Sequence, residues 1–592
     1  MLALAALALA IGQAGRLLLL SPDGPGRTID TLVALCLAAP LSVLALRRTS
    51  NPEARSYALG GAFGLMFFTC ILGIDRIDPT TVGWLMVGDW AQHYLGWEMY
   101  RHEGLNLPPG RITGLWHPVG TSIVFTDSLP LLAMPLSVLS PWLPEQFQYI
   151  GAFMALSFVL QGALAARLAQ HAGLQAGAQL LVALLFVNAP FLIARLGHDT
   201  LTAHWTLLAC LLLATAVRSD QAVRVWYVIV VLSTLIHPYL AAMCGPMAGA
   251  ALWWQLRDSP RRVIAHGIGG TLLAGGLLWA AGAFIIRSQP SLTATVPYGH
   301  YSANLLTFVT PMNRSVMLPE WPMATTGQSE GYAYLGVGVL LLLLIALALL
   351  KLPRNVNAPR FPARLWLTAS ALAAFGVSTV MAVGDVRVLD FPQNGGLFGV
   401  FRSSGRFVWP LAYMLMAGAI LAIAARYGPR RSAWVLLAVA ALQVFDLSST
   451  HAELTVLSRA HRSHPWQSPL LDPSWDALAS QRRHLAFIPP PACGEVPADW
   501  IAFQQLAARH ALTFNAGFLA RHDGAASEAH CHTLAEQMAA GTLPRDALYV
   551  VNPQWKERLL SGLPEQTQCR QLDGFETCVV PGNDSAELDD GE

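Results

Sequence analysis

Six short polar motifs interrupt a chain otherwise dominated by apolar runs: GDWAQHYLGW (88–97), FTDS (125–128), GHD (197–199), HPY (237–239), SEGY (329–332) and FRSSGR (401–406). In helical spacing, Asp89, Gln92 and His93 share one polar face while Trp90, Tyr94 and Trp97 cover the other. A carboxylate half-shielded at a membrane edge has the makings of a general base, so Asp89 is the candidate catalytic residue. The competing reading makes Asp89 a helix cap beside interfacial aromatics. Asp127 is equally double: Asp-Ser-x-Pro ahead of an apolar run is a capping order, and its place also suits metal or sugar binding. His198 and Asp199, with His204 farther along, can pair or hold polar ligand groups, although H-x₅-H is a poor metal motif. His237 before Pro238 either caps a helix or touches substrate, and Glu330 is either a ligand group or part of a turn. Arg402 and Arg406 bracket Ser403 and Ser404, where guanidinium forks, hydroxyls and backbone N–H groups suit a phosphate. The alternative for these arginines is snorkelling at the interface with pairing to Asp385 or Asp390.

These groups need a scaffold, and composition sets its class. Of 592 residues, 54% are hydrophobic and only 12% charged, against roughly 25% charged in an average soluble domain. The net charge of +1 and the lack of a basic tract with interleaved aromatics argue against a nucleic-acid partner. Arginine and lysine gather at 47–55, 218–224, 257–262, 351–364 and 426–431, and the positive-inside rule puts all five in the cytoplasm. Spans are then expected near 1–20, 30–46, 57–75, 148–168, 176–194, 202–217, 225–237, 239–256, 263–286, 333–350, 365–383, 407–425 and 432–447. That is a mainly α, polytopic membrane fold of about 13 spans, with residues 1–46 as an N-terminal hairpin and 47–447 as the core. Every polar motif then falls on the outer side, in the loops 76–147, 287–332 and 384–406 and the short turns near 195–201 and 237. Ionisable groups at a membrane edge are costly, so this one-sided gathering points to a site. The proline-rich segment 129–143 is too short to cross and is expected to lie in the outer interface.

Beyond residue 448 charged and polar residues return. Apolar runs shrink to strand length (HLAFIPP, ALYVV, FETCVV), and DWIAFQQLAARHA has helical spacing. A small extracytoplasmic α/β domain is expected over 448–582, followed by a disordered acidic tail, 583–592. Cys36, Cys70, Cys210 and Cys244 sit in apolar runs, whereas Cys493, Cys531, Cys569 and Cys578 all lie in the tail. An even set confined to the outer domain implies two disulfides in an oxidising compartment, with Cys493–Cys531 and Cys569–Cys578 taken from three possible connectivities.

The strings GDWAQHYLGW, FTDSLPLLAMPLSVLSPWLPEQFQYIG, HPYL, HYSANLL, GQSEGYAYLG and FRSSGRFVWP resemble a family of uncharacterised bacterial polytopic membrane proteins, from about residue 57 onward. That family more distantly resembles the GT-C class of integral-membrane glycosyltransferases. The resemblance implies an acidic residue in the first outer loop, matched by Asp89, and a polyprenyl-phosphate sugar donor. It also implies a soluble outer domain and a place in the cytoplasmic (inner) membrane. On this expectation Arg402 and Arg406 neutralise the departing lipid phosphate, and Asp89 deprotonates an acceptor hydroxyl. Trp90, Trp97 and Trp116 stack on sugar rings or anchor at the interface. The acceptor is a surface glycan, a lipid or a protein. The resemblance fixes no cofactor, and Asp89 with Asp127 leaves room for a divalent cation. The rival classes are a transporter or flippase of a lipid-linked glycan and a noncatalytic envelope assembly protein.

Overall fold

The computed structural model describes residues 51–286, 298–353, 355, 358–391, 396–454 and 466–581. The expected hairpin 1–46, Cys36 and the acidic tail 583–592 lie outside the described residues. Among these residues four helical segments are long and apolar enough to cross a bilayer: Pro52–Leu72, Ile150–His171, Pro260–Ala280 and Ser404–Asp446. They mark a membrane protein, but they are four where eleven of the expected thirteen crossings fall within the described residues. Helices do occupy most of the other apolar runs, and they are short: Ala176–Val187, Ala222–Ile236 and Ala363–Val377 have 12, 15 and 15 residues. At 1.5 Å per residue such lengths fall short of a hydrocarbon core about 30 Å thick. The run 365–383 stops being helical at Val377 because the chain turns into a hairpin there.

Among the described residues nine strands form three sheets. β1 (Arg111–Ile112) pairs with β2 (Thr121–Ser122), and β3 (Val380–Val383) pairs with β4 (Val386–Asp390), both antiparallel. β5 (His484–Ile488), β6 (Thr513–Phe514), β7 (Ala547–Val551), β8 (Gln568–Leu572) and β9 (Phe575–Val579) make one sheet in the order β6-β5-β7-β9-β8. In this sheet β5 runs parallel to β6 and β7, and β9 runs antiparallel to β7 and β8.

The chain forms two compact units. The first (1–81, 148–275 and 296–464) is, in its described residues, mainly helical and includes the β3–β4 pair. Helix Pro52–Leu72 lies so close to Ile150–His171 that a Cβ on Gly60 would fall on the Gly162 carbonyl, and one on Gly64 on that of Phe158. Small residues four apart let helix backbones touch where burial against lipid supplies no driving force. The longest helix, Trp409–Asp446, bends at Gly428 (φ 70°), and Pro429 restarts it. Its far end is stitched to the following layer by two buried side chains. Gln443 accepts from the Val339 N–H (3.1 Å) and donates to Leu335 O (3.0 Å). Asp446 accepts from Ser315 Oγ, Tyr334 Oη (2.8 Å) and the Val337 N–H (3.0 Å), giving helix Val337–Ala348 a carboxylate at its N-terminus.

The second unit (82–147, 276–295 and 465–592) holds the five-stranded α/β sheet. That sheet is not built by the tail alone. Leu115 bridges in parallel to Phe514, with His117 N–H donating to Phe514 O (3.0 Å) and Phe514 N–H to Gly114 O (2.7 Å). The Gly110 N–H also reaches Ala280 O at 2.8 Å, tying β1 to the end of helix Pro260–Ala280. Asp499 caps helix Trp500–Arg509 and Asp523 caps Gly524–Ala540, each through its carboxylate.

Cys493 and Cys531 stand at 2.10 Å S–S, and Cys569 and Cys578 at 1.96 Å, which fits the expected pairing. The first bond joins the loop after β5 to helix Gly524–Ala540, and the second crosses the β8–β9 ladder. The bridges close loops of 38 and 9 residues. Chain entropy therefore assigns the first about 4 kcal/mol and the second about 2.5 kcal/mol. Cys493→Ala is accordingly expected to lower the melting temperature of this unit more than Cys569→Ala. Calorimetry of the two variants checks the order.

Candidate functional site

In the helical unit the site grows from Glu330. Its segment, the short 3₁₀ turn Thr326–Gly331, is held by neighbours on several sides. Asn304 Nδ2 donates to Gln328 Oε1 (3.0 Å), Thr307 Oγ1 to Gly331 O, and Trp409 Nε1 to Tyr332 O (3.1 Å). The Glu330 carboxylate thus stands in a fixed place. Arg195 Nη1 reaches its Oε2 at 3.0 Å, and Arg406 reaches the same oxygen through Nε and Nη2, both at 2.8 Å. Arg195 also donates through Nη2 to Ser329 O at 3.1 Å. Each guanidinium is backed by a ring: Arg195 by Trp409 (5.5 Å) and Arg406 by Tyr239 (4.9 Å). Burial raises the pKa of Glu330, but the two arginines more than offset it and hold the carboxyl well below the usual range. The charged form of Glu330 is thereby favoured. Two cations against one anion leave this trio formally positive.

The other residues of this unit surround the trio in different roles. His237 caps helix Pro238–Gln255, its Nδ1 accepting from the Tyr239 N–H at 3.1 Å, and its ring meets the His198 ring edge-on at 5.8 Å. Asp199 is buried in the first turn of the 3₁₀ segment Asp199–Thr202. Arg402 lies over Tyr301 at 5.2 Å, and Ser403 N–H donates to Tyr239 Oη at 2.8 Å. The alternative partner Asp390 is taken by Arg387 at 2.6 Å, while Arg406 goes to Glu330. Deeper in the unit, Gln161 Nε2 donates to Tyr413 Oη (2.9 Å), which also meets His204 Nδ1 (3.0 Å).

Asp89, Gln92, His93 and Asp127 belong to the second unit. Helix Gly88–Tyr100 forms as its spacing predicts, with Val87 as its N-cap. Asp89 is thus not the cap: it is an exposed first-turn carboxylate, favourably placed in the helix dipole. Gln92 and His93 do not share its exposure. Both are buried, Gln92 donating to Phe125 O (3.3 Å) and the His93 carbonyl accepting from Ser128 Oγ. Asp127 is no cap either, because helix Pro130–Leu139 has Leu129 at that position; Asp127 sits buried two residues earlier at φ 53°. Ligand atoms of His93 and Asp127 come within 4.8 Å of each other, so this pair could contribute ligands to a divalent cation.

Two of the expected sugar-stacking aromatics are packed away. Trp97 is 1% exposed and donates to Phe147 O (2.9 Å), and Trp116 is 8% exposed against His522. Trp90 stays half-buried against Trp84. Segment 129–143 forms the helix Pro130–Leu139 with a further turn to Trp142, leaving Val138, Leu139 and Trp142 exposed. Sequence reasoning passed over Arg195, although it lies three residues before His198. It also passed over Glu98, which pairs with Arg101 at 3.3 Å and whose carboxyl burial pushes up to about 8 against the opposing pull of Arg101. The unit also contains a cavity of about 200 Å³ walled by β5, β7 and helix Gly524–Ala540, with His117, His484 and His530 on its lining.

A family model described as a domain of unknown function (DUF6311) matches residues 61–448. A second, the DUF6311 C-terminal domain, matches residues 474–580. A search of curated proteins gives no match.

Proposed function

The chain belongs to the DUF6311 family, and from its charged cluster we propose that it is a membrane glycosyltransferase. On this reading it moves a sugar from a polyprenyl-phosphate donor to a cell-envelope acceptor at the outer face of the bacterial cytoplasmic membrane. The observation that carries the proposal is the meeting of Arg195 and Arg406 on one carboxylate oxygen. Two ring-backed guanidiniums fixed around one point are what a departing phosphate requires, since catalysis gains most from charges already aimed where charge develops. Arg402, four residues before Arg406 and stacked on Tyr301, adds a third cation to the same segment.

In the proposed step, an acceptor oxygen attacks the anomeric carbon as the bond from that carbon to the phosphate oxygen breaks. The lipid phosphate leaves with the bonding pair, the acceptor proton passes to a general base, the role expected of Asp89 from its sequence, and the anomeric centre inverts. Purified protein supplied with a polyprenyl-phosphate sugar should release lipid phosphate only when an acceptor is present. Failure of every donor and acceptor pair, with the protein folded, removes the reading.

A second reading, transport of a lipid-linked glycan, draws on the buried Gln161–Tyr413–His204 chain within the helical unit. Ionisable and polar groups in that position are costly and mark transport paths as well as active sites. Movement of the donor between vesicle leaflets without release of lipid phosphate would favour it.

A further inference from the structure

We infer that Arg195 and Arg406 form a seat for a phosphate monoester, and that the Glu330 carboxylate fills this seat as a displaceable stand-in until the phosphate arrives. The inference rests on the phosphate-donor reading above and adds an exchange step to it. Three N–H donors, one from Arg195 and two from Arg406, converge on the single oxygen Glu330 Oε2. A phosphate monoester offers three strong acceptor oxygens and a charge of about −1.5 to −2 near neutral pH. It would distribute those donors over several oxygens and balance both guanidiniums, where one carboxylate balances one.

The surroundings favour exchange of the anion over movement of the cations. The arginine side chains are each 10% exposed, whereas the Glu330 side chain is 26% exposed, so the carboxylate is the partner with access to water. Trp409 and Tyr239 keep the guanidiniums in place when it leaves. The flanking backbone is anchored at Ser329 O, Gly331 O and Tyr332 O. Rotation of one side chain therefore suffices, with no movement of the loop. In this picture Glu330 compensates one of the two buried charges while the site is empty, which reduces the penalty of unpaired buried charge.

The test uses the full chain in detergent, with dodecyl phosphate and inorganic phosphate as probes and calorimetric titration as readout. Glu330→Gln keeps the shape and removes the charge. It is expected to bind dodecyl phosphate about tenfold more tightly than the parent does, and to gain more thermal stability from the probe. Adding Arg195→Lys to this variant should abolish the gain. A gain with both probes means that the phosphate group alone is recognised. A gain with dodecyl phosphate alone means a lipid phosphate, and either result supports the seat. Equal or weaker binding by Glu330→Gln overturns the stand-in role and makes Glu330 a positioning residue for the arginines. If that variant does not fold, Glu330→Asp, which draws the carboxylate back from both guanidiniums, is read the same way. Sugar transfer by the parent, assayed in parallel, separates this inference from the enzymatic reading. Transfer without a binding gain ends the first alone, and a gain without transfer ends the second alone.

Discussion

Arg406→Lys should insert and fold as the parent does, yet release lipid phosphate from a polyprenyl-phosphate sugar about 10²-fold more slowly. Lysine retains the charge and loses the fork. Arg406 makes its contact through Nε and Nη2 together while its plane lies on Tyr239, and a single ammonium reproduces neither arrangement. Arg402→Lys is the matched comparison. Its guanidinium lies on Tyr301 and is half-buried, so a smaller loss is expected there. Steady-state release measured for both variants tests the ranking, and an Arg406→Lys enzyme with parental turnover would remove phosphate binding from this residue.

The second large effect is expected at Asp89. Asp89→Asn should lower transfer by about 10²–10⁴-fold, the usual contribution of a positioned general base. The same change should move stability little. The side chain is exposed in the first turn of its helix, where a carboxylate favourably placed in the helix dipole is worth about 0.3–1 kcal/mol. Melting curves and transfer rates on one preparation separate the two roles. An Asn variant that still transfers sugar excludes Asp89 as the base.

Much of the tail could be read from its sequence because each signal there is local. HLAFIPP, ALYVV and FETCVV became β5, β7 and β9, and DWIAFQQLAARHA became helix Trp500–Arg509 with Asp499 as its cap. His237 before Pro238 likewise announced a helix start, since proline fits the first turn and the preceding side chain can cap it. The count of crossings was less legible. Mean hydropathy reports which runs are apolar, but not where a turn at Asn188–Pro190 or a hairpin after Val377 cuts the helix short.

The charged cluster shows the same boundary. Glu330 and Arg406 were both visible as unusual residues, but their pairing spans 76 positions and that of Glu330 with Arg195 spans 135. No periodicity records a contact at such separation. Arg195 was hidden further by the basic-residue bookkeeping, which counts arginines to orient a chain and gives no sign when one has turned inward to meet a carboxylate. The burial of Gln92, His93, Trp97 and Trp116 escaped for a related reason. A helix face that looks polar, or aromatic and interfacial, is reinterpreted once another segment covers it. Here residues 82–147 and the tail belong to one compact unit.

That shared unit constrains how the chain can be made. Leu115 finds its β-bridge partner Phe514 only after some four hundred further residues have left the ribosome. At 5–20 residues per second the wait is on the order of a minute or less. Through that interval the early segment has emerged without the strand edge it will join, exposed to proteases and to wrong partners. Chaperone demand during biogenesis should therefore concentrate on this segment, and truncation before β6 should leave it a target for degradation even where every membrane helix has inserted.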